Sequence, residues 1–264
     1  YITSQGARLV VVGDMKQADV EAKMAFLRKL PNKKVATPKI DPVPPVDKTK
    51  VYMVDVPKGA QTEFRVGYAT GLKWDATGDY YRSVLANYAL GGNFNSRLNL
   101  NLREDKGWTY GANSGFTGNQ VGGEFRFAAG IRADATDSAL VEVMKDINDY
   151  IKNGPSDEEV AFMKDAIGQF DALRYETPAQ KAQFISRVLE YNLPANYTVQ
   201  QNKILSTVKK DELNKISKQR IQPEKLNILL VGDKAKVLDK VKKLGYEVVE
   251  LDADGKKVGE KKEF

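Results

Sequence analysis

The sequence predicts an α+β fold: an antiparallel β-sheet with helices packed on one face. Three observations predict it. Short runs that alternate apolar and polar residues cluster before position 72 and again between 108 and 134. From 136 to 221 apolar residues instead recur at helical spacing almost throughout. A last apolar run, LNILLVGD (226–233), follows that helical block, so strands and helices are segregated rather than alternating as βαβ units.

Each element has its own signal. VYMVDVP (51–57) alternates and is rich in β-branched residues; QTEFRVGYATGL (61–72) reads as a second strand with Phe64, Val66 and Tyr68 on one face. DATGDYYRSVLANYALGG (75–92) is helical, because Tyr81, Val84, Leu85, Tyr88 and Ala89 share a face, and Gly91 and Gly92 end it. SRLNLNLREDKG (96–107) is a second helix with Ser96 as cap and Gly107 as stop. WTYGANSGFTGNQ (108–120) and GEFRFAAGIRAD (123–134) form a hairpin turning at Gly122 and Gly123. The helix 135–154 stops at Gly154. The next, 155–176, opens on a capping box of Ser156 and Glu159, and further helices break near Pro178 and Pro194.

Two segments resemble each other: ARLVVVGDMKQADVEAKMAFLRKL (7–30) and LNILLVGDKAKVLDKVKKLG (226–245). Each closes an apolar run with Val-Gly-Asp and continues into a polar amphipathic helix, as the end of a tandem domain would. Residues 1–34 are therefore expected to be the last strand and helix of a preceding, truncated domain. Four prolines in VATPKIDPVPPVDKTK make 35–50 an extended linker. The domain proper is expected at 51–250, with a charged tail at 251–264. The first residue is Tyr1, so the chain reads as starting inside something larger.

The most restrictive fact is the absence of both histidine and cysteine in 264 residues. It excludes disulfides, thiol nucleophiles and Ser-His-Asp or Cys-His catalysis by this chain alone. The net charge of +6 invites a nucleic-acid reading. Lysines are interspersed with acids, however, as in VKKDELNKISKQR (208–220), and no nucleic-acid partner is expected. No apolar run approaches the roughly 18 residues that would span a bilayer, so no membrane partner is expected either.

PKGAQTEFRVGY (57–68), LGGNFNSRLNLNLREDKGWTY (90–110) and FAAGIRAD (127–134) together carry a resemblance. Over essentially all of 51–250 the chain resembles the C-terminal half of pitrilysin/insulinase-family (inverzincin) zinc metallopeptidases, a group that includes mitochondrial-processing-peptidase-like proteins. In that family the zinc motif H-x-x-E-H lies in the N-terminal half. The resemblance implies no cofactor in this chain and zinc in the missing N-terminal half. It implies that Arg103 and Tyr110, seven positions apart, grip substrate and stabilise the transition state, with Gly91 and Gly92 as further substrate-binding positions. Its implied partners are a zinc-bearing half, on the same chain or a separate subunit, and a peptide substrate; this chain alone is inactive. Arg97 reads as structural. The family also includes non-catalytic partner subunits and respiratory-complex core proteins, and that second reading stays open. Bacterial members suggest a periplasmic location.

Overall fold

Period-two burial organises the strands. Val51 and Met53, Phe64 and Val66, Phe125, Phe127 and Ile131, and Ile228 and Leu230 are all buried, while the residues between them are more exposed. The computed structural model describes residues 2–36, 39–173 and 175–259, with the backbone alone at 170–173. Thr37 and Pro38 of the linker and residues 260–264 of the charged tail lie outside the described residues. The chain falls into two units, residues 43–164 with 203–264, and residues 1–42 with 165–202.

In chain order the strands are β1 (Lys50–Asp55), β2 (Gln61–Ala69), β3 (Thr109–Phe116), β4 (Glu124–Arg132), β5 (Asn227–Gly232) and β6 (Val248–Leu251). The helices are α1 (Gln17–Lys23), α2 (Asp79–Gly91), α3 (Arg97–Asn99), α4 (Thr136–Asn153), α5 (Asp157–Leu173), α6 (Pro178–Tyr191), α7 (Tyr197–Thr207), α8 (Lys210–Arg220) and α9 (Lys234–Lys242).

The larger unit holds one sheet in the order β3-β4-β2-β5-β1-β6. Pairing is antiparallel from β3 through β4 and β2 to β5, as the sequence predicts, and parallel from β5 through β1 to β6. The fold is α+β with a mixed sheet. β5 returns after the helical block and inserts between β1 and β2, and α9 supplies the crossover that parallel strands require. Local patterning marks neither that insertion nor β6, which borders the sheet at the side opposite β3.

Helices α2, α4, α8 and α9 pack together and against the sheet. Tyr150 on α4 is fully buried, and its hydroxyl donates to Ala86 O on α2 at 2.7 Å. Tyr68 donates to Arg220 O at 2.6 Å; burial pushes its pKa up to about 12, so it stays a neutral donor.

The termini of the helices follow local chemistry. α2 starts at Asp79 rather than 75, because the Asp75 carboxylate accepts from the N–H groups of Thr77 and Gly78 and holds those residues in a turn. α4 stops at Gly154, whose φ of 71° suits a residue without Cβ. The capping box before α5 is formed: Glu159 N–H donates to Ser156 Oγ at 3.2 Å, and Ser156 N–H to Glu159 Oε2 at 2.6 Å. The segment 96–107 departs from expectation. Only Arg97–Asn99 is α-helical, Leu100–Asp105 forms a π-helical turn, and the Ser96 hydroxyl makes no cap bond.

In the smaller unit α6 opens on a capping box of Thr177 and Gln180 with bonds of 3.2 and 2.8 Å. The Phe184 ring packs at 4.8 Å from Tyr175 and 5.5 Å from Tyr197. Residues 9–12 pair with no strand among the described residues, although VVVGD mimics the β5 ending, and Leu9 and Val11 are exposed. A strand exists only where a neighbour takes its backbone hydrogen bonds, which composition cannot supply.

Candidate functional site

The candidate site lies at one border of the sheet, where α2, the following loop, the π-helical turn and β3 meet. Tyr110 is the second residue of β3, an edge strand, at a break in register with β4 between Thr109 and Ala112. Such irregularities re-aim a side chain. Tyr110 is 91% exposed, whereas the other tyrosines among the described residues are buried or half-buried.

Arg103 sits in the π-helical turn, a geometry frequent at functional sites. Its guanidinium carbon lies 4.5 Å from the centre of the Phe94 ring, and Nη1 donates to Glu104 Oε1 at 2.6 Å. The π turn packs on β3, bringing the two segments together.

Beside them runs a groove of about 490 Å³. One wall is the loop from Gly91 to Phe94; the other is the stretch of β3 from Gly111 to Ser114, with Asn99 between. Arg103 and Tyr110 do not line it. They stand at its margins, one against Phe94 and the other next to Gly111.

Gly91 and Gly92 do not end α2 by a left-handed turn; the capping Gly92 has φ −85°. A Cβ on Gly91 would collide with Ser114 Oγ and lie 2.5 Å from its amide nitrogen, so Gly91 allows α2 to touch β3. A Cβ on Gly92 would meet Tyr88 Cα at 2.8 Å.

Asparagines hold this region together. Asn99 accepts from Ala112 N–H at 2.9 Å and donates to Phe94 O at 2.7 Å, linking the loop to β3. Asn87 donates to Ser114 O at 2.8 Å and accepts from Ser114 Oγ at 2.8 Å. Two side-chain amides thus take edge-strand groups that a further strand would otherwise pair. Asn101 donates to Glu142 Oε2 and Asp146 Oδ2, both at 2.9 Å, tying the π turn to α4. Burial, supported by the nearby Glu142 charge, holds the Asp146 carboxyl above the usual carboxylate range. Sequence reasoning missed Phe94, Asn87 and Asn99; the only signal was the density of asparagine in NYALGGNFNSRLNLN.

Arg97 is structural, as expected. Its Nε and Nη2 each reach Glu159 at 2.7 Å, Nη2 also reaches Gly154 O at 3.0 Å, and the guanidinium lies 5.0 Å from the Tyr150 ring centre. Burial disfavours the Glu159 carboxylate, yet the Arg97 and Ser156 N–H bonds outweigh it and hold its pKa below normal.

For zinc the donor set does not fit. The chain has neither histidine nor cysteine, and among the described residues no three Asp or Glu side chains gather as a metal site.

No curated protein matches the chain. Among solved structures, a peptidase M16 inactive domain from Pseudomonas fluorescens is 26% identical with a TM-score of 0.71, the match covering 84% of this chain and 52% of that one. A protease from Helicobacter pylori is 18% identical with a TM-score of 0.71, covering 84% and 53%. A chain of complex III2 from Candida albicans is 13% identical with a TM-score of 0.63, covering 88% and 57%. The chain thus spans about half the length of these three structures. The family model described as "Peptidase M16 inactive domain" matches residues 1–167. With most of the chain covered by that model, and the same α+β fold in its structural neighbours, this protein belongs to the peptidase M16 inactive-domain family.

Proposed function

We propose that this chain is the non-zinc-binding half of a zinc endopeptidase and holds the backbone of a peptide substrate for a zinc-bearing half that the chain does not contain. One observation carries the reading. Tyr110 is 91% exposed on an edge strand, while the strand phenylalanines Phe64, Phe116, Phe125 and Phe127 are buried in the core and the strand tyrosines Tyr52 and Tyr68 are half-buried.

In this role Tyr110 Oη–H donates to the carbonyl oxygen of the bound peptide, and more strongly as negative charge develops there. Arg103 offers its planar set of N–H donors to a neighbouring backbone carbonyl. Its present bond to Glu104 and its stacking on Phe94 keep the guanidinium oriented rather than sweeping through solvent. The zinc would be held by the other half, and this chain would contribute hydrogen-bond donors to the substrate and no metal ligand.

The test is cleavage of a quenched, unstructured peptide by this chain mixed with a zinc-bearing M16 half from the same source. Each half alone should be inactive and the mixture active. Tyr110→Phe should lower kcat by on the order of 10²-fold, the size of one oxyanion donor. A mixture that cleaves equally well with Tyr110→Phe and Arg103→Ala refutes the assigned site. A mixture that never cleaves, yet still associates, supports a non-catalytic partner subunit instead.

A further inference from the structure

We infer that the groove between the 91–94 loop and β3 selects for a large apolar side chain of an extended peptide, with Phe94 as the specificity-determining wall and Asn99 as the residue that positions it. The inference rests on the proposed reading that this chain holds peptide; it adds which peptide.

Phe94 is a large aromatic side chain left 62% exposed on a loop that is tightly held. Asn93 donates to Tyr88 O at 2.8 Å and accepts from Asn95 N–H at 2.8 Å; Ser96 N–H donates to Asn93 O at 3.2 Å; Asn99 donates to Phe94 O at 2.7 Å. The guanidinium of Arg103 packs on the ring. A single exposed aromatic is ordinary. One whose backbone and ring are both fixed before any ligand arrives is preorganised, so a ligand gains contact without ordering the wall.

The opposite wall is low. Gly111 and Ala112 leave space across from the ring, and together they give the groove an aromatic side and a shallow floor. Asn113, also lining the groove, is exposed; its backbone pairs with Ala128 of β4, while its carboxamide makes no hydrogen bond among the described residues. A free carboxamide matches the donor and acceptor of a peptide group. Ordinary strand addition at this part of β3 is blocked, because Asn99 occupies Ala112 N–H and Asn87 occupies Ser114 O. The groove therefore reads a side chain without adding a strand to β3.

Asn99 is the positioning residue. Buried itself, it connects Phe94 O and Ala112 N–H through opposite ends of one amide, so it sets the width of the groove. An aspartate there keeps the acceptor for Ala112 and places a carboxylate oxygen against the Phe94 carbonyl.

The experiment titrates this chain into three fluorescein-labelled extended peptides that differ only in a central Gly, Leu or Phe, read by anisotropy. Wild type, Phe94→Ala, Phe94→Leu, Asn99→Asp and Tyr110→Phe are compared, with circular-dichroism melts verifying that each is folded. Expected is a preference of roughly ten-fold for Phe and Leu over Gly, the scale of apolar pocket discrimination. Phe94→Ala should erase it by weakening only the Leu and Phe peptides, Phe94→Leu should keep part of it, and Asn99→Asp should reduce it. Tyr110→Phe should weaken all three peptides alike.

If Phe94→Ala keeps the full preference while Tyr110→Phe weakens every peptide, the specificity inference is overturned and the backbone grip stands. If Phe94→Ala erases the preference while Tyr110→Phe changes nothing, the grip falls and the groove stands. Three peptides that all fail to bind the folded wild-type chain overturn both.

Discussion

Arg97 grips Glu159 through two N–H···O bonds of 2.7 Å, and the same carboxylate caps the start of α5 by accepting from Ser156 N–H at 2.6 Å. One acid therefore closes two structural joints, the N-terminus of α5 and the link to the start of α3. Both side chains are about one-third exposed, with relative exposures of 31% and 28%, so water screens the pair only in part.

Removing the cation leaves that carboxylate with one backbone donor in a half-dry setting. Arg97→Ala is expected to cost about 3 kcal/mol in chemical denaturation, near the lower end for breaking a buried pair. Arg103→Ala, which breaks a partly exposed pair between sequence neighbours and a contact with the exposed Phe94 ring, is expected to cost less than about 1 kcal/mol. Equal losses at the two positions would contradict the division of one arginine for structure and one for the site.

The pH dependence follows from Glu159. Its pKa is lower folded than unfolded, so its stabilising contribution is fully present above the ordinary carboxylate pKa of about 4.3. That contribution is lost as pH falls through the depressed folded value. Urea unfolding of wild type and Glu159→Gln should therefore differ at pH 7 and converge toward pH 3. A gap that stays constant over the range would show that the charge of Glu159 contributes nothing.

Asp146 works with the opposite sign. Its folded pKa is raised, first by burial and also by the Glu142 charge, so at neutral pH its ionised form costs stability. Protonation relieves that cost as pH falls through the raised value. Asp146→Asn keeps an acceptor for Asn101 and removes the charge. It is expected to stabilise the protein at pH 7, with the gain fading as pH falls toward 4. Thermal melts at the two pH values measure it.

Gly91→Ala tests the contact between α2 and β3. Its new Cβ would stand 2.5 Å from the Ser114 amide nitrogen, a backbone atom that no side-chain rotation can move. The expected cost is about 1–3 kcal/mol, the range of overpacking in a tight core. Adding Ser114→Ala should recover little of it. Full recovery would mean that the hydroxyl alone, rather than the backbone, sets the spacing.

Much of this was legible in the residues. The alternation in QTEFRVGY and GEFRFAAGIR marks β2 and β4 because a half-buried strand must alternate. Ser156 with Glu159 announces the start of α5, and Gly154 the end of α4, since caps are local chemistry within a few residues. The resemblance to the C-terminal half of pitrilysin/insulinase-family peptidases rested on ordered motifs between 57 and 134, and the M16 inactive-domain model matches residues 1–167. The start of α2 was placed four residues early because Asp75 makes a turn of a stretch whose apolar period continues the helix. Leu100–Asp105 reads as ordinary α-helix because a π turn keeps nearly the same residue preferences. Gly91 and Gly92 look like a helix stop, yet their spacing against Ser114 and Tyr88 depends on atoms that lie across the fold or one turn back.

By itself the sequence determined what depends on neighbours along the chain: strand faces, helix caps, the exclusion of histidine and cysteine chemistry, and the family. Only the tertiary structure decided the insertion of β5 between β1 and β2, the parallel pairing with β6, and the groove in which Asn99 joins Phe94 to Ala112. The reason is physical. A cap or an alternating face is satisfied within one turn or one strand, whereas pairing order and groove width are set by whichever distant backbone groups take the remaining hydrogen bonds, and a linear pattern does not encode that partner.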